Sequence, residues 1–157
     1  MQELQKAYDA RAKKLNKIEK IKDQRSAQEA YAQLEQYAKD GYASIPAEDK
    51  SYFLKCFGIY DRPATPERFM LKMRIPGGHL NATQARVIGE CAKEYGKDYI
   101  DLTTRAQCEL RYLKIEDLPT IIKKMESVGL TAYQTGVDNI RGIMGDPLDD
   151  LAFDNIL

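Results

Sequence analysis

The stretch Arg68-Phe69-Met70-Leu71-Lys72-Met73-Arg74-Ile75-Pro76-Gly77-Gly78 constrains the fold of this chain more than any other. Side chains at i and i+2 of a strand share a face. Lys72 and Arg74 therefore project together from one side, and Leu71, Met73 and Ile75 from the other. The Pro-Gly-Gly that follows ends the strand in a tight turn. A paired cationic strand running into such a turn can hold an anion. The competing reading is an ordinary amphipathic strand with a solvated polar face.

The rest of the chain supplies helices and strands around this one. Residues 1–40 contain no Gly or Pro and are rich in Ala, Gln, Glu, Lys and Leu, a helix-forming composition. Ser26-Ala27-Gln28-Glu29 has the form of a capping box, so two helices with a break near Asp23–Ser26 are expected. The apolar stripe of this arm (Leu4, Tyr8, Leu15, Ile18, then Tyr31, Leu34, Tyr37) is thin. Asp49–Phe57 reads as one short helix with Phe53, Leu54 and Phe57 on its apolar side. Asn81-Ala82-Thr83-Gln84 caps a helix running to Tyr95, with Val87, Ile88, Cys91 and Ala92 inward and Gly96 as its stop. Tyr99–Thr104 and Gln107–Lys114 read as strands joined around Arg105. Asp117-Leu118-Pro119 opens a last helix that ends at Gly129, and a further short strand is expected near Thr131–Thr135. The order β-α-β-β-α is most of a ferredoxin-like α+β unit, an antiparallel sheet with helices on one face. Its other face is left open for a partner, a cofactor or a second copy.

Composition narrows the function. Lys+Arg 24 balances Asp+Glu 24, so no global field draws in nucleic acid or an acidic membrane surface. The strand also lacks the interleaved surface aromatics of an RNA-binding sheet. No apolar run is long enough to cross a bilayer and Met1–Lys6 does not read as a signal peptide, so a soluble cytoplasmic protein is expected. Cys56, Cys91 and Cys108 are scattered, without a Cys-x-x-Cys element, and read as small core residues. His79, in the turn after Gly77-Gly78, reads as a turn residue. Further arginines stand at strand ends and in a polar loop: Arg105 after Asp101-Leu102-Thr103-Thr104, Arg111 on the next strand, and Arg141 in Gly136-Val137-Asp138-Asn139-Ile140-Arg141-Gly142. Arginine suits oxyanions because its planar fork donates bidentate, charge-assisted hydrogen bonds and stays ionised.

Several blocks between Asp49 and Leu148 resemble the siroheme-containing nitrite/sulfite reductase family, at its first ferredoxin-like half-domain. They are Cys56-Phe57-Gly58-Ile59-Tyr60, Phe69 to Gly78, Asp101-Leu102-Thr103-Thr104-Arg105, Glu116-Asp117-Leu118-Pro119, Ser127-Val128-Gly129-Leu130, Asp138-Asn139-Ile140-Arg141 and Gly145-Asp146-Pro147-Leu148. The resemblance covers about two-thirds of the chain and implies three parts: a helical arm over 1–48, the half-domain with its lead-in over 49–148, and the start of a siroheme domain over 149–157. It implies six-electron reduction of nitrite to ammonia or of sulfite to sulfide. Siroheme and a 4Fe–4S cluster would serve as cofactors, and ferredoxin or a flavoprotein as electron donor. The cluster ligands and the remainder of the reductase are not in this sequence, so the chain alone is expected to be inactive. Carried over by position, Lys72 and Arg141 correspond to anion-touching residues; Arg74, Thr103, Arg105, Arg111 and Asn139 correspond to the siroheme-contacting surface.

The chain departs from the family in places. Lys72 stands where Arg is usual, Ala106-Gln107-Cys108-Glu109 where Gln-Asn-x-Gln is common, Gly142 where Asn is common and Asp146 where Cys is common. A Glu109 carboxylate beside siroheme carboxylates would be repulsive unless protonated or turned away. The alternative function is a free-standing ferredoxin-like binding or assembly module without catalysis.

Overall fold

In the computed structural model residues 2–13, 15–137, 139–146 and 151 are described. In chain order the helices are α1 (Gln2–Lys13), α2 (Lys17–Lys22), α3 (Ala27–Ala32), α4 (Leu34–Asp40), α5 (Ala47–Ser51), α6 (Ala82–Tyr95) and α7 (Leu118–Glu126). The strands are β1 (Ile59–Asp61), β2 (Phe69–Lys72), β3 (Ile100–Leu102) and β4 (Cys108–Leu113). All four pair antiparallel in one sheet of order β1-β2-β4-β3. This is the expected α+β arrangement, with β1 as an edge strand added to it.

The alternation around Lys72 holds. Leu71, Met73 and Ile75 are buried, whereas Lys72 and Arg74 are half-buried on the opposite side. Regular pairing stops at Lys72; at Arg74 the chain takes a new partner, its N–H donating to the Thr131 carbonyl at 2.8 Å. The short strand expected over Thr131–Thr135 is reduced to this single bridge. Between Phe69↔Leu113 and Leu71↔Leu110 the register slips by one residue, with the extra residue in β4, where Tyr112 takes φ 61°.

One sheet face packs on α6 and α7. Asn81 caps α6 with a complete capping box: its side chain accepts from the Gln84 N–H at 2.8 Å, and the Gln84 side chain accepts from the Asn81 N–H at 3.1 Å. Ile88, Cys91 and Ala92 then face Leu118, Ile121, Ile122 and Met125 of α7 and the buried side of the strands in one apolar cluster.

The arm is more broken than expected. The break at 23–26 is present, and Ser26 accepts from the Glu29 N–H at 3.3 Å. A second break precedes α2 because the Asn16 side chain accepts the Glu19 N–H at 3.0 Å, taking a donor from the helix ladder. Ala30, Leu34 and Tyr37 are buried, whereas Leu4 and Tyr8 of α1 are exposed. A charged clamp fastens the arm: Arg25 pairs with the fully buried Asp49, which also accepts the Tyr37 hydroxyl at 2.7 Å. The helix expected over 49–57 is two pieces, α5, which buries Asp49, and a 3-10 turn over Phe53–Phe57, which leaves Phe53, Leu54, Cys56 and Phe57 in the core. The continuation expected at 149–157 lies outside the described residues apart from Leu151, as do Asp138 and Pro147-Leu148.

Candidate anion-binding cleft

At the Pro-Gly-Gly end of β2 a cleft of about 40 Å³ is lined by Lys72, Arg74, Arg105 and Arg141, together with Gln107 and Thr135. Three segments far apart in sequence supply these four cations. The volume is close to that of one water molecule in the liquid, so the cleft suits a small anion or one group of a larger ligand.

Backbone carbonyls hold the cleft in shape. Arg74 reaches across to the loop that carries Arg141: its Nη2 donates to the Gln134 carbonyl and, at 2.9 Å, to the Ile140 carbonyl, and its Nε to the Tyr133 carbonyl at 3.4 Å. Arg105 donates to the Gly142 carbonyl at 2.9 Å. Two arginines thus grip the loop on either side of Arg141. Neither is neutralised in doing so, because a carbonyl carries no net charge. Arg141 itself is exposed, and among the described residues nothing hydrogen-bonds or ion-pairs its guanidinium.

Gln107 joins the two strand ends below. Its Oε1 accepts the Ile75 N–H at 2.7 Å, and its Nε2 donates to the Ile75 carbonyl at 2.8 Å and the Arg105 carbonyl at 2.9 Å. It is a buried polar residue with its hydrogen bonds made. Thr103 organises the turn before it, its Oγ1 accepting from the N–H groups of Arg105 at 3.3 Å and Gln107 at 3.1 Å. Asn139 donates to the Gly136 carbonyl at 2.6 Å, and Thr135 donates to the Lys72 carbonyl at 3.2 Å. Both side chains brace the loop. Gly136 passes so close to its neighbours that a Cβ there would sit 2.1 Å from the Lys55 carbonyl oxygen and 2.5 Å from the Tyr60 hydroxyl.

Of the residues singled out in the sequence, Lys72, Arg74, Arg105 and Arg141 line the cleft, and Thr103 and Asn139 shape its turns. Arg111 stands elsewhere, on the outer sheet face. It pairs there with Asp101 and with Glu109 at 3.0 Å, beside a hollow of about 200 Å³ that Arg62, Tyr99 and Tyr112 help line. Gln107, Thr135 and Tyr60 escaped sequence reasoning.

The titratable groups respond to these surroundings. Burial pushes the Tyr60 hydroxyl up, with the Glu109 carboxylate adding to it and Arg141 opposing. The Tyr99 hydroxyl, hydrogen-bonded to Asp101, holds that carboxyl below the ordinary aspartate value, with Arg111 acting in the same direction. Burial raises the thiols of Cys91 and Cys108, the opposite of what a thiolate ligand needs. Among the described residues no group of three or more His, Cys, Asp or Glu side chains could hold a metal ion, and no helix is long and apolar enough to cross a membrane.

Sheet, helices and cationic strand end together define a ferredoxin-like α+β domain with a cleft lined by four basic residues. Residues 62–128 match the nitrite/sulfite reductase ferredoxin-like half domain, and the chain carries that half-domain of the nitrite/sulfite reductase family. It is 38% identical over 144 residues to the ferredoxin–nitrite reductase of Leptolyngbya laminosa, an alignment spanning 91% of this chain and 28% of that protein. It is 40% identical over 103 residues to the chloroplastic ferredoxin–nitrite reductase of Spinacia oleracea, covering 64% of this chain and 17% of the relative. Among solved structures, that of the Mycobacterium tuberculosis NirA protein superposes with a TM-score of 0.82 at 25% identity, over 89% of this chain and 29% of that one. The chain therefore spans less than a third of the proteins it resembles.

Proposed function

We propose that this chain is the N-terminal part of a ferredoxin-dependent nitrite reductase, and that it supplies the cationic wall against which nitrite binds. The convergence of Lys72, Arg74, Arg105 and Arg141 on one cleft carries this reading. The named nitrite reductases among its relatives favour nitrite over sulfite.

Within this reading the four cations divide the work. Arg141, free of hydrogen bonds and ion pairs among the described residues, donates its guanidinium N–H groups to the anion oxygens. Lys72 adds an ammonium that can pass a proton from Nζ to an oxygen departing as water. Arg74 and Arg105, committed to loop carbonyls, fix where Arg141 stands and add positive potential as negative charge builds on the substrate.

Siroheme, coupled to a 4Fe–4S cluster, would supply the electrons when bound. The residues present fit a polycarboxylate macrocycle. Arg74 and Arg105 would offer charge to its carboxylates, and Leu102, Ile140 and Ile143, each at least 80% exposed, would offer apolar surface. Such exposure on a soluble domain calls for a cover, which the remaining two-thirds of a reductase would also provide.

The test uses the full reading frame that contains this sequence, expressed with siroheme. Arg141→Ala should retain the siroheme absorbance and lose about 100-fold in kcat/KM for nitrite. Equal turnover in the two proteins, or a wild-type protein that binds no siroheme, would contradict the proposal.

A further inference from the structure

Glu109 is a carboxylate paired with Lys72 of the cationic cleft, and the cleft reading alone does not require it. Only 8% of the residue is exposed. In the sheet it lies opposite Lys72 on β2 and opposite Asp101 on β3. Two cations reach it, Arg111 at 3.0 Å and Lys72 at 3.4 Å. Arg111 is shared with Asp101, so one guanidinium serves two carboxylates and leaves Glu109 dependent on Lys72 as well. Lys72 in turn lines the cleft. A single ammonium therefore stands between an internal carboxylate and any anion that enters.

We propose that Glu109 sets the charge selectivity of the cleft by competing with the bound anion for Lys72; this rests on the reading of the cleft as an anion site. An ammonium held by Glu109 is withdrawn from the anion, and the attraction so lost scales with the anion's charge. With Lys72 held by Glu109, a monoanion is received mainly by Arg141 and forgoes one unit of attraction. A dianion forgoes two, and finds less positive charge than four basic residues would suggest. The pairing thus favours a compact singly charged oxyanion over a doubly charged one. Glu109 touches neither anion in this account and acts through Lys72.

The experiment measures nitrite and sulfate binding to this chain by NMR titration, for wild type, Glu109→Gln, Lys72→Ala, the double variant and Arg141→Ala. Glu109→Gln should tighten nitrite by about fivefold and, because the effect scales with anion charge, sulfate by about 25-fold. The gain should vanish when Lys72 is already Ala. Equal gains for the two anions, or a gain that survives Lys72→Ala, would overturn the proposal. So would no gain in a chain whose nitrite binding is still abolished by Arg141→Ala, and that outcome leaves the cleft reading standing. If no protein binds either anion, the cleft reading fails and takes this one with it. A check independent of any variant is the Glu109 carboxyl carbon of the wild-type chain: nitrite saturation should shift it as Lys72 turns to the ligand, and an unmoved resonance would contradict the competition.

Discussion

The two ends of the outer sheet face use the same residue type for opposite purposes. At the Pro-Gly-Gly end, Arg74 and Arg105 bond to backbone carbonyls and keep their charge, and Arg141 is left facing outward. Towards the β3 side, Arg111 is bonded to Asp101 and Glu109, and its charge is cancelled locally. A guanidinium spent on carbonyls shapes a loop and still attracts an anion, whereas one spent on carboxylates only ties strands together. Positive potential at a site thus depends on the arginine's partners as much as on the number of arginines.

The largest effect that would break this contrast comes from the loop seating the cleft end. Gly136→Ala drives a Cβ into the Lys55 carbonyl and the Tyr60 hydroxyl. Overpacking against backbone should cost about 3 kcal/mol, read as a lowered melting temperature. An unchanged melting temperature would mean that the loop does not rest where the contrast requires. Next is Gln107→Ala, which strands the Ile75 N–H and carbonyl in a buried place. A loss of about 2 kcal/mol in urea unfolding is expected, with anion binding falling alongside. Stability lost with binding intact would separate Gln107 from the cleft.

At the other end the effect is smaller and appears as acid sensitivity. The Asp101 carboxyl is held below its ordinary value of 3.8, chiefly by the Tyr99 hydroxyl and also by Arg111. A carboxyl depressed by folding stabilises fully above its unfolded value, and that contribution is lost as the pH falls through the lower folded value. Tyr99→Phe should therefore raise the midpoint of acid unfolding, and Arg111→Gln should raise it less. Neither should shift if the carboxylate-bonded end contributes nothing to stability.

Much of the fold was legible because its signals are local. The capping box of α6 and the 3.6-residue periodicity of α6 and α7 each lie within one segment, as does the alternation of Leu71, Lys72, Met73, Arg74 and Ile75. The strand β1 was not legible. It is three residues long, and its existence rests on pairing with β2, a contact that spacing cannot reveal. The cleft divides in the same way. Lys72 and Arg74 could be paired from the strand period, but the link from Arg74 to Ile140 spans 66 residues and follows no spacing rule. Resemblance to known reductases brought Arg105 and Arg141 alongside them. It also brought Arg111, whose role in this fold is decided by Asp101 and Glu109. Gln107 went unseen because burial of a polar side chain leaves no trace in composition.

The most direct test is whether nitrite finds the cleft in this chain. On titration, the side-chain resonances of Arg141, Arg105 and Lys72 should shift together and saturate at one affinity. Those of Lys123 and Lys124, paired at the surface with Glu35 and Glu94, should stay still. Shifts that never saturate, or that appear equally at Lys123 and Lys124, would contradict an anion site built by convergence.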